Sequence, residues 1–370
     1  MYEPSIYKES EQQTFFKMMT ELKTDSLRVI PRSPRCSTAD NLLRLTLKDH
    51  YDVTRELGRG TYGQVLFARC RETGKNVALK VLSKSNTKLR EFEREFRFSY
   101  FLSPHSNVVD TYNVAFETRT AFVFAQEFAA YGDLFEKIPP QQGMAENDVK
   151  NVIKQVSSAL DFMHSNDLVH RDIKPENILI FEPDFRKVKL TDFGMTRKEG
   201  LILRKVNGSI PYTPPEVCEA VKNESITVSS SGDVWAFGVL LFCMMTGNFP
   251  WENAEISDIY YNEFSLWQRR KCTKTPSQWR KFTPRILRFF RKTLEAKVER
   301  RCDVKEIKKY FSDTWLKPCA QSISDETEED ITTDADNINP LTSFLQSHGI
   351  DTKLDEKLRE RRISEWLLAL

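Results

Sequence analysis

Asp172 stands in the run His170-Arg171-Asp172-Ile173-Lys174-Pro175-Glu176-Asn177, and Asp192-Phe193-Gly194 follows twenty residues after it. A loop aspartate can accept the proton of a hydroxyl and aim its oxygen. A lysine two residues further on can neutralise negative charge growing on a group in transfer. An asparagine and a second aspartate offer hard oxygen ligands to Mg2+. Upstream lie a Gly-rich turn, Gly58-Arg59-Gly60-Thr61-Tyr62-Gly63-Gln64-Val65, and the run Val77-Ala78-Leu79-Lys80. Glycines let a backbone bend sharply and approach phosphate oxygens with no side chain between. A phosphate cover, a phosphate-pairing lysine, a base and metal ligands, in that order, are the parts that phosphoryl transfer from a nucleotide requires.

Each part alone has a plainer reading. GxGxxG also opens the helix of dinucleotide-binding folds, but here the strand-like Val65-Leu66-Phe67 follows, which favours a hairpin lid. Lys80 alone would be a solvated strand end, and the loop charges alone a polar surface. All of them in order resemble the signature set of the eukaryotic protein kinases. The resemblance runs from about 51 to 316. It is closer still to the SH3-binding kinase family of Ser/Thr kinases, in Phe124-Ala125-Gln126-Glu127, Gly132-Asp133-Leu134-Phe135, Asp161-Phe162-Met163-His164-Ser165, Asp192-Phe193-Gly194-Met195-Thr196 and Thr246-Gly247-Asn248-Phe249-Pro250-Trp251.

The resemblance implies ATP, Mg2+ and protein Ser/Thr substrates. It assigns Asp172 as base, Lys174 as charge neutraliser, and Asn177 and Asp192 as metal ligands. Lys80 would hold the α and β phosphates and pair with a helix glutamate. Glu91, Glu93 and Glu95 are on offer, and Glu95 is chosen for its distance from His105. In the nucleotide cleft, residues 57–65 (Leu57, Gly58, Arg59, Gly60, Thr61, Tyr62, Gly63, Gln64, Val65) would cover the phosphates. Leu57, Val65, Ala78 and Leu179 would sandwich the adenine. Glu127 and Ala129 would offer it backbone hydrogen bonds, Gln126 would be the gatekeeper, and Asp133 would reach the ribose. Asp233 would hold the amides of His170 and Arg171, and Glu216 would pair with Arg301. Ser209 sits where a Ser/Thr kinase has a hydroxyl meeting Asp172 and Lys174. Pro214-Pro215-Glu216 departs from the usual Ala-Pro-Glu.

The elements that must position these groups are readable from pattern. Strands are expected at 51–53, 65–68, 77–82 and 121–128, and helices at 86–101, 149–164, 234–246 and 284–297. A small sheet followed by a helical half is α+β, which on the resemblance is the bilobal kinase fold: a β-rich N-lobe at 51–127 and a larger helical C-lobe at 130–316. Residues 1–50 form an N-terminal extension. Ser37 or Thr38 could cap a short helix there, through Leu42, Leu43 and Leu45. Residues 317–370 are an acidic linker and an amphipathic tail, with Leu354, Leu358, Trp366, Leu367 and Leu370 at helical spacing.

The chain has 370 residues, with 55 basic and 53 acidic side chains and a net charge of +2. No global field points to nucleic acid or an anionic membrane. The longest apolar run, Val234 to Met245, falls short of the roughly 20 residues that span a bilayer. The seven cysteines are scattered and form no CxxC, which suits reduced thiols in a cytoplasmic protein. The basic Arg269-Arg270-Lys271 leaves nuclear entry open.

Three regulatory expectations follow. The hydroxyls between Gly194 and Pro214 are Thr196, Ser209, Tyr212 and Thr213, none of them mid-segment. Activity without activation-loop phosphorylation is therefore expected. The acidic run 325–336 could fold back on Arg197, Lys198, Arg204 and Lys205, or remain a solvated linker. Arg28-Val29-Ile30-Pro31-Arg32-Ser33-Pro34 fits an SH3 ligand that docks as a polyproline II helix, and Ser33-Pro34 is equally a phosphorylation site. Asp133 and Glu176 could favour arginine upstream of the target residue. The rivals to an active kinase are a pseudokinase and an SH3-binding adaptor, but pseudokinases typically lack a counterpart of Lys80, Asp172 or Asp192, and all three are present.

Overall fold

The computed structural model describes residues 42–60, 63–204, 210–220 and 224–318. Thr61, Tyr62, Ser209, the segment 28–34, the acidic run and the C-terminal helix-like stretch lie outside the described residues.

The leading residues differ from expectation. Residues 42–46 are not helical. Arg44 makes a parallel bridge to Glu117, and among the described residues before Tyr51 the one helix is α1, Leu47–His50. Backbone bonds from Leu45 N to the Glu117 carbonyl and from Glu117 N to the Leu43 carbonyl, both 2.9 Å, outbid the local helical pattern.

The N-lobe is a five-stranded antiparallel sheet of order β1-β2-β3-β5-β4, built from β1 (Tyr51–Gly60), β2 (Gly63–Cys70), β3 (Asn76–Ser83), β4 (Thr111–Glu117) and β5 (Ala121–Glu127). Residues alternate between its faces. Val77, Leu79, Val123 and Ala125 join Tyr51, Val114 and Phe116 on one side, while Leu82, Phe122 and Phe124 meet a helix on the other. That helix is α2, Leu89–Leu102. Phe92, Glu95, Phe96, Ser99 and Leu102 are buried, a face at three- and four-residue spacing.

The C-lobe is organised around two long helices, α3 (Glu146–Ser165) and α5 (Ser230–Thr246). Every residue of α5 from Asp233 to Thr246 is buried, as befits a helix apolar on all sides. Gly247 closes it at φ 68°, and a Cβ there would lie 2.3 Å from the Pro139 carbonyl, so both conformation and space require glycine. Between α3 and α5 run β6 (Leu168–Val169), β7 (Ile178–Glu182), β8 (Lys187–Leu190), β9 (Arg197–Lys198), β10 (Ile202–Arg204), α4 (Pro215–Cys218) and β11 (Ser225–Thr227). Helices α6 (Ile259–Gln268) and α7 (Pro284–Thr293) pack behind α5 around buried Trp251 and Trp279. Helix α7 stops at Thr293, short of the expected Lys297. The chain turns there so that Arg301 can reach the Glu295 carbonyl and the Glu216 carboxylate. No helix among the described residues is long and apolar enough to cross a membrane.

Candidate active site

Lys80 lies on the central strand β3, opposite Val65 of β2 and Phe124 of β5. Its ammonium is 2.5 Å from Glu95 Oε1 and 3.0 Å from Asp192 Oδ1. Burial works against the Lys80 charge, but the two carboxylates outweigh it and hold the ammonium above the usual lysine range. Packing would likewise raise the Asp192 carboxyl, yet Lys80 holds it down to about 2. Burial pushes the Glu95 carboxyl up, and Lys80 offsets part of this. The choice among three glutamates is settled by the helix face. Glu95 shares the buried stripe with Phe92 and Phe96, whereas Glu91 caps α2 by accepting from Lys88 N, and Glu93 faces Arg97 at 3.8 Å.

The catalytic-loop groups are fixed on one another. Lys174 Nζ is 3.0 Å from Asp172 Oδ2. Asn177 Nδ2 donates to the Asp172 carbonyl at 2.7 Å and to Oδ2 at 2.9 Å. Burial opposes the Lys174 charge, and Asp172 more than restores it, so the ammonium stays above its ordinary range. The ring of His170 accepts from Asp172 N at Nδ1 and meets the Thr191 carbonyl at Nε2, 3.0 Å away. Those partners require the proton on Nε2, and the ring thereby ties the loop of Asp172 to the loop of Asp192. Arg171 (φ 71°) and Asp192 (φ 62°) both take left-handed backbone, a strain that persists only where the surroundings over-determine it. For Arg171 the determining group is Asp233. Its carboxylate accepts from His170 N and Arg171 N, each at 2.8 Å, and from His164 at 2.9 Å.

The residues expected to hold a nucleotide come from the β1–β2 hairpin, β3, the end of β5 and β7. Gly58 and Gly60 pair with Val65 and Gly63 across the β1–β2 hairpin. A Cβ at either would meet nothing within 4 Å, so the protein itself does not require glycine there. The open space they leave is where phosphates would approach the backbone. Gly63 differs, because a Cβ would lie 2.0 Å from the Val81 carbonyl. Arg59 and Gln64 turn to the surface, with Arg59 bonded to Glu56 and Gln64. Ala78, Val65 and Leu179 are half-buried, and Leu57 is 36% exposed at the mouth. Glu127 N donates to the Asp110 carbonyl, and the Glu127 carboxylate is held by Lys189 and Asp110 N. The two residues expected to offer a base their backbone groups, Glu127 and Ala129, lie at the end of β5 and just beyond it. Gln126 is buried and donates to Thr111 Oγ1 at 3.0 Å, turned toward β4. Asp133 Oδ1 accepts from Glu136 N, and burial lifts its carboxyl to about 6. Glu176 Oε2 is buried without a hydrogen-bond partner among the described residues. Burial, with Asp172 and Asp133 nearby, pushes that carboxyl up.

Glu216 receives both arms of Arg301, at 2.9 and 2.8 Å. The Arg301 guanidinium also reaches the Ser231 carbonyl and lies 5.0 Å from the Trp235 ring centre. Three further features carry no sequence signal: the Glu127–Lys189 brace, the Thr191 carbonyl as His170's partner, and an arginine cluster. In that cluster burial, with Arg94 and Arg171 nearby, lowers Arg197 to about 10.

Residues 51–312 match the protein kinase domain family. The chain belongs to that family. The kinase is 52% identical over 279 residues to serine/threonine-protein kinase SBK1 of Danio rerio, covering 75% of this chain and 72% of the relative. It is 50% identical over 262 residues to SBK1 of Mus musculus, with 71% and 63% covered. To SBK2 of Homo sapiens it is 37% identical over 282 residues, with 75% and 81% covered. These relatives place it in the SH3-binding kinase group, and it is a protein serine/threonine kinase. The family implies ATP and, typically, Mg2+.

Proposed function

We propose that this kinase moves the γ-phosphoryl group of ATP onto protein Ser/Thr hydroxyls through Asp172, Lys174 and Lys80, and does so without a phosphate in its own activation segment. The observation that carries the reading is the Lys80–Glu95–Asp192 triad, with all three charged groups already in contact. Asp172 would accept the hydroxyl proton while Asn177 and Lys174 hold its carboxylate in place. Lys174, held cationic, would neutralise charge on the moving phosphoryl group, and Lys80 would orient the α and β phosphates. The amide nitrogen of Asn177 is spent on Asp172, which points its oxygen elsewhere. With the Asp192 carboxylate this gives the oxygen donor set that suits Mg2+, a cation usually held by one or two carboxylates plus substrate phosphates. Bound there, Mg2+ would neutralise phosphate charge.

Independence from phosphorylation is supported by how the segment is held. Arg171 donates to the Met195 carbonyl, and Arg197 donates to the carbonyls of Gly194 and Thr196. β9 pairs with β6 and β10 pairs with β11. Thr196 is fully buried, and so is closed to a modifying enzyme in the folded chain. Exhaustive phosphatase treatment is expected to leave kcat within about twofold, as no interaction specific to the transition state is lost. Loss of activity, with the removed phosphate mapped to 194–214, would overturn this.

We also propose that Arg28–Pro34 docks an SH3 domain, on the strength of the sequence pattern. A panel of SH3 domains should capture the full chain, and Arg28→Ala with Pro31→Ala should abolish capture. Undiminished capture by that variant would refute the site.

A further inference from the structure

We infer that residues 42–47, which precede the matched kinase domain, form a strap that braces the helix carrying Glu95, with Leu42 as a positioning residue for phosphoryl transfer. The strap is clasped to β4 by the two backbone bonds around Glu117 and the Arg44–Glu117 bridge. β4 is an edge strand of the sheet, and an edge offers unpaired N–H and C=O groups to any extended segment. Crossing that edge puts the strap's leucines on opposite faces. Leu42 packs against the cluster of Phe92 and Phe96 from α2 with Leu82, Ala115, Phe122 and Phe124. Leu45 and Leu47 pack against the other cluster, around Tyr51, Val114 and Phe116.

The far end of helix α2 is anchored in the larger core through Phe101 and Leu102, with Phe98 packed against it, while the half that carries Glu95 meets the sheet. It packs on β4 and β5 through Phe92, whose ring centre is 5.1 Å from that of Phe122, and Phe96, 5.8 Å from Phe124. Glu95 lies between these two phenylalanines in sequence and on the same buried face. The Glu95–Lys80 pair is the polar tie between this helix and the sheet's interior. A side chain that presses on the Phe92–Phe96 cluster therefore bears on where the Glu95 carboxylate sits. Leu42 does so from outside the family boundary at residue 51. The inference rests on the reading of the Lys80–Glu95 pair given above.

The test compares full-length variants by steady-state kinetics and thermal melting. Leu42→Ala is expected to lower kcat about tenfold, with peptide KM within about twofold, because the helix spends less time in the competent position. Leu42→Met should restore most of the rate. Leu45→Ala, on the opposite face, should lower the melting temperature while kcat stays within about twofold. In a Glu95→Gln background, Leu42→Ala should add less than about twofold, since both changes act through one contact. The inference falls if Leu42→Ala leaves kcat unchanged, if Leu45→Ala lowers kcat as much as Leu42→Ala, or if the Leu42 and Glu95 effects multiply. Should Glu95→Gln itself leave kcat unchanged, the Lys80–Glu95 reading fails first and takes the strap's role with it.

Discussion

Asp172→Asn should lower kcat by about a thousandfold while leaving ATP affinity nearly unchanged, the range expected when a positioned general base is removed. The substitution is close to isosteric, so the loop need not move. What changes is chemistry and charge. The amide cannot take the hydroxyl proton. It also withdraws the counter-charge from Lys174, whose ammonium now rests 3.0 Å from Asp172 Oδ2. Asn177 would face an amide in place of the carboxylate that accepts its Nδ2. Radiolabelled phosphate transfer to a Ser peptide, alongside calorimetric titration of nucleotide, checks both halves. A variant retaining more than about a tenth of kcat would exclude Asp172 as the base.

Asp233→Ala should do comparable damage by a different route, lowering the melting temperature by about 10 °C and kcat with it. The carboxylate is buried and accepts from two backbone amides and from His164. Removing it strands these donors, at about 1–3 kcal/mol each. It also releases the left-handed backbone of Arg171, the residue before the proposed base. Asparagine is a poor rescue, because its NH2 would face a donor. The pH dependence has a definite sign. Burial would raise the Asp233 carboxyl, but His164, His170 and the Arg171 amide hold it below the usual aspartate range. Its contribution is therefore complete above the unfolded value of about 3.9 and is lost as pH falls through the depressed folded value. The gap in melting temperature between wild type and variant should be full at pH 7 and should narrow in strong acid. A gap that widened on acidification would contradict this account.

The groups that carry charge or take special backbone were the legible part of this chain. Asp172, Lys174, Asn177, Asp192, Lys80 and Asp233 each need a particular residue type at a fixed chain distance, and type and distance are what a sequence displays. The two-lobed α+β fold followed, because long amphipathic or wholly apolar helices such as α2, α3 and α5 announce themselves by period. Elements shorter than their own period did not. β9, β10 and β11 have two or three residues each, too few to alternate. β4 carries a register irregularity between Thr111 and Ala115 that breaks its pattern. The leucines at 42, 43 and 45 read as a helix because a strap that crosses a sheet edge also places apolar residues at mixed spacing. The partner that decides between the two, Glu117, is more than seventy residues away.

The orientation of Gln126 bears on how this kinase would meet small-molecule inhibitors. Its amide is already committed to Thr111 Oγ1, so a compound reaching behind the adenine plane would have to break that bond and leave both groups dry. A lost buried partner costs about 1–3 kcal/mol, which is enough to favour compounds that stop at the Glu127 and Ala129 backbone. Selective chemistry would then come from the front of the cleft, where Asp133 and Glu176 offer carboxyl groups to a ligand bearing a positive charge.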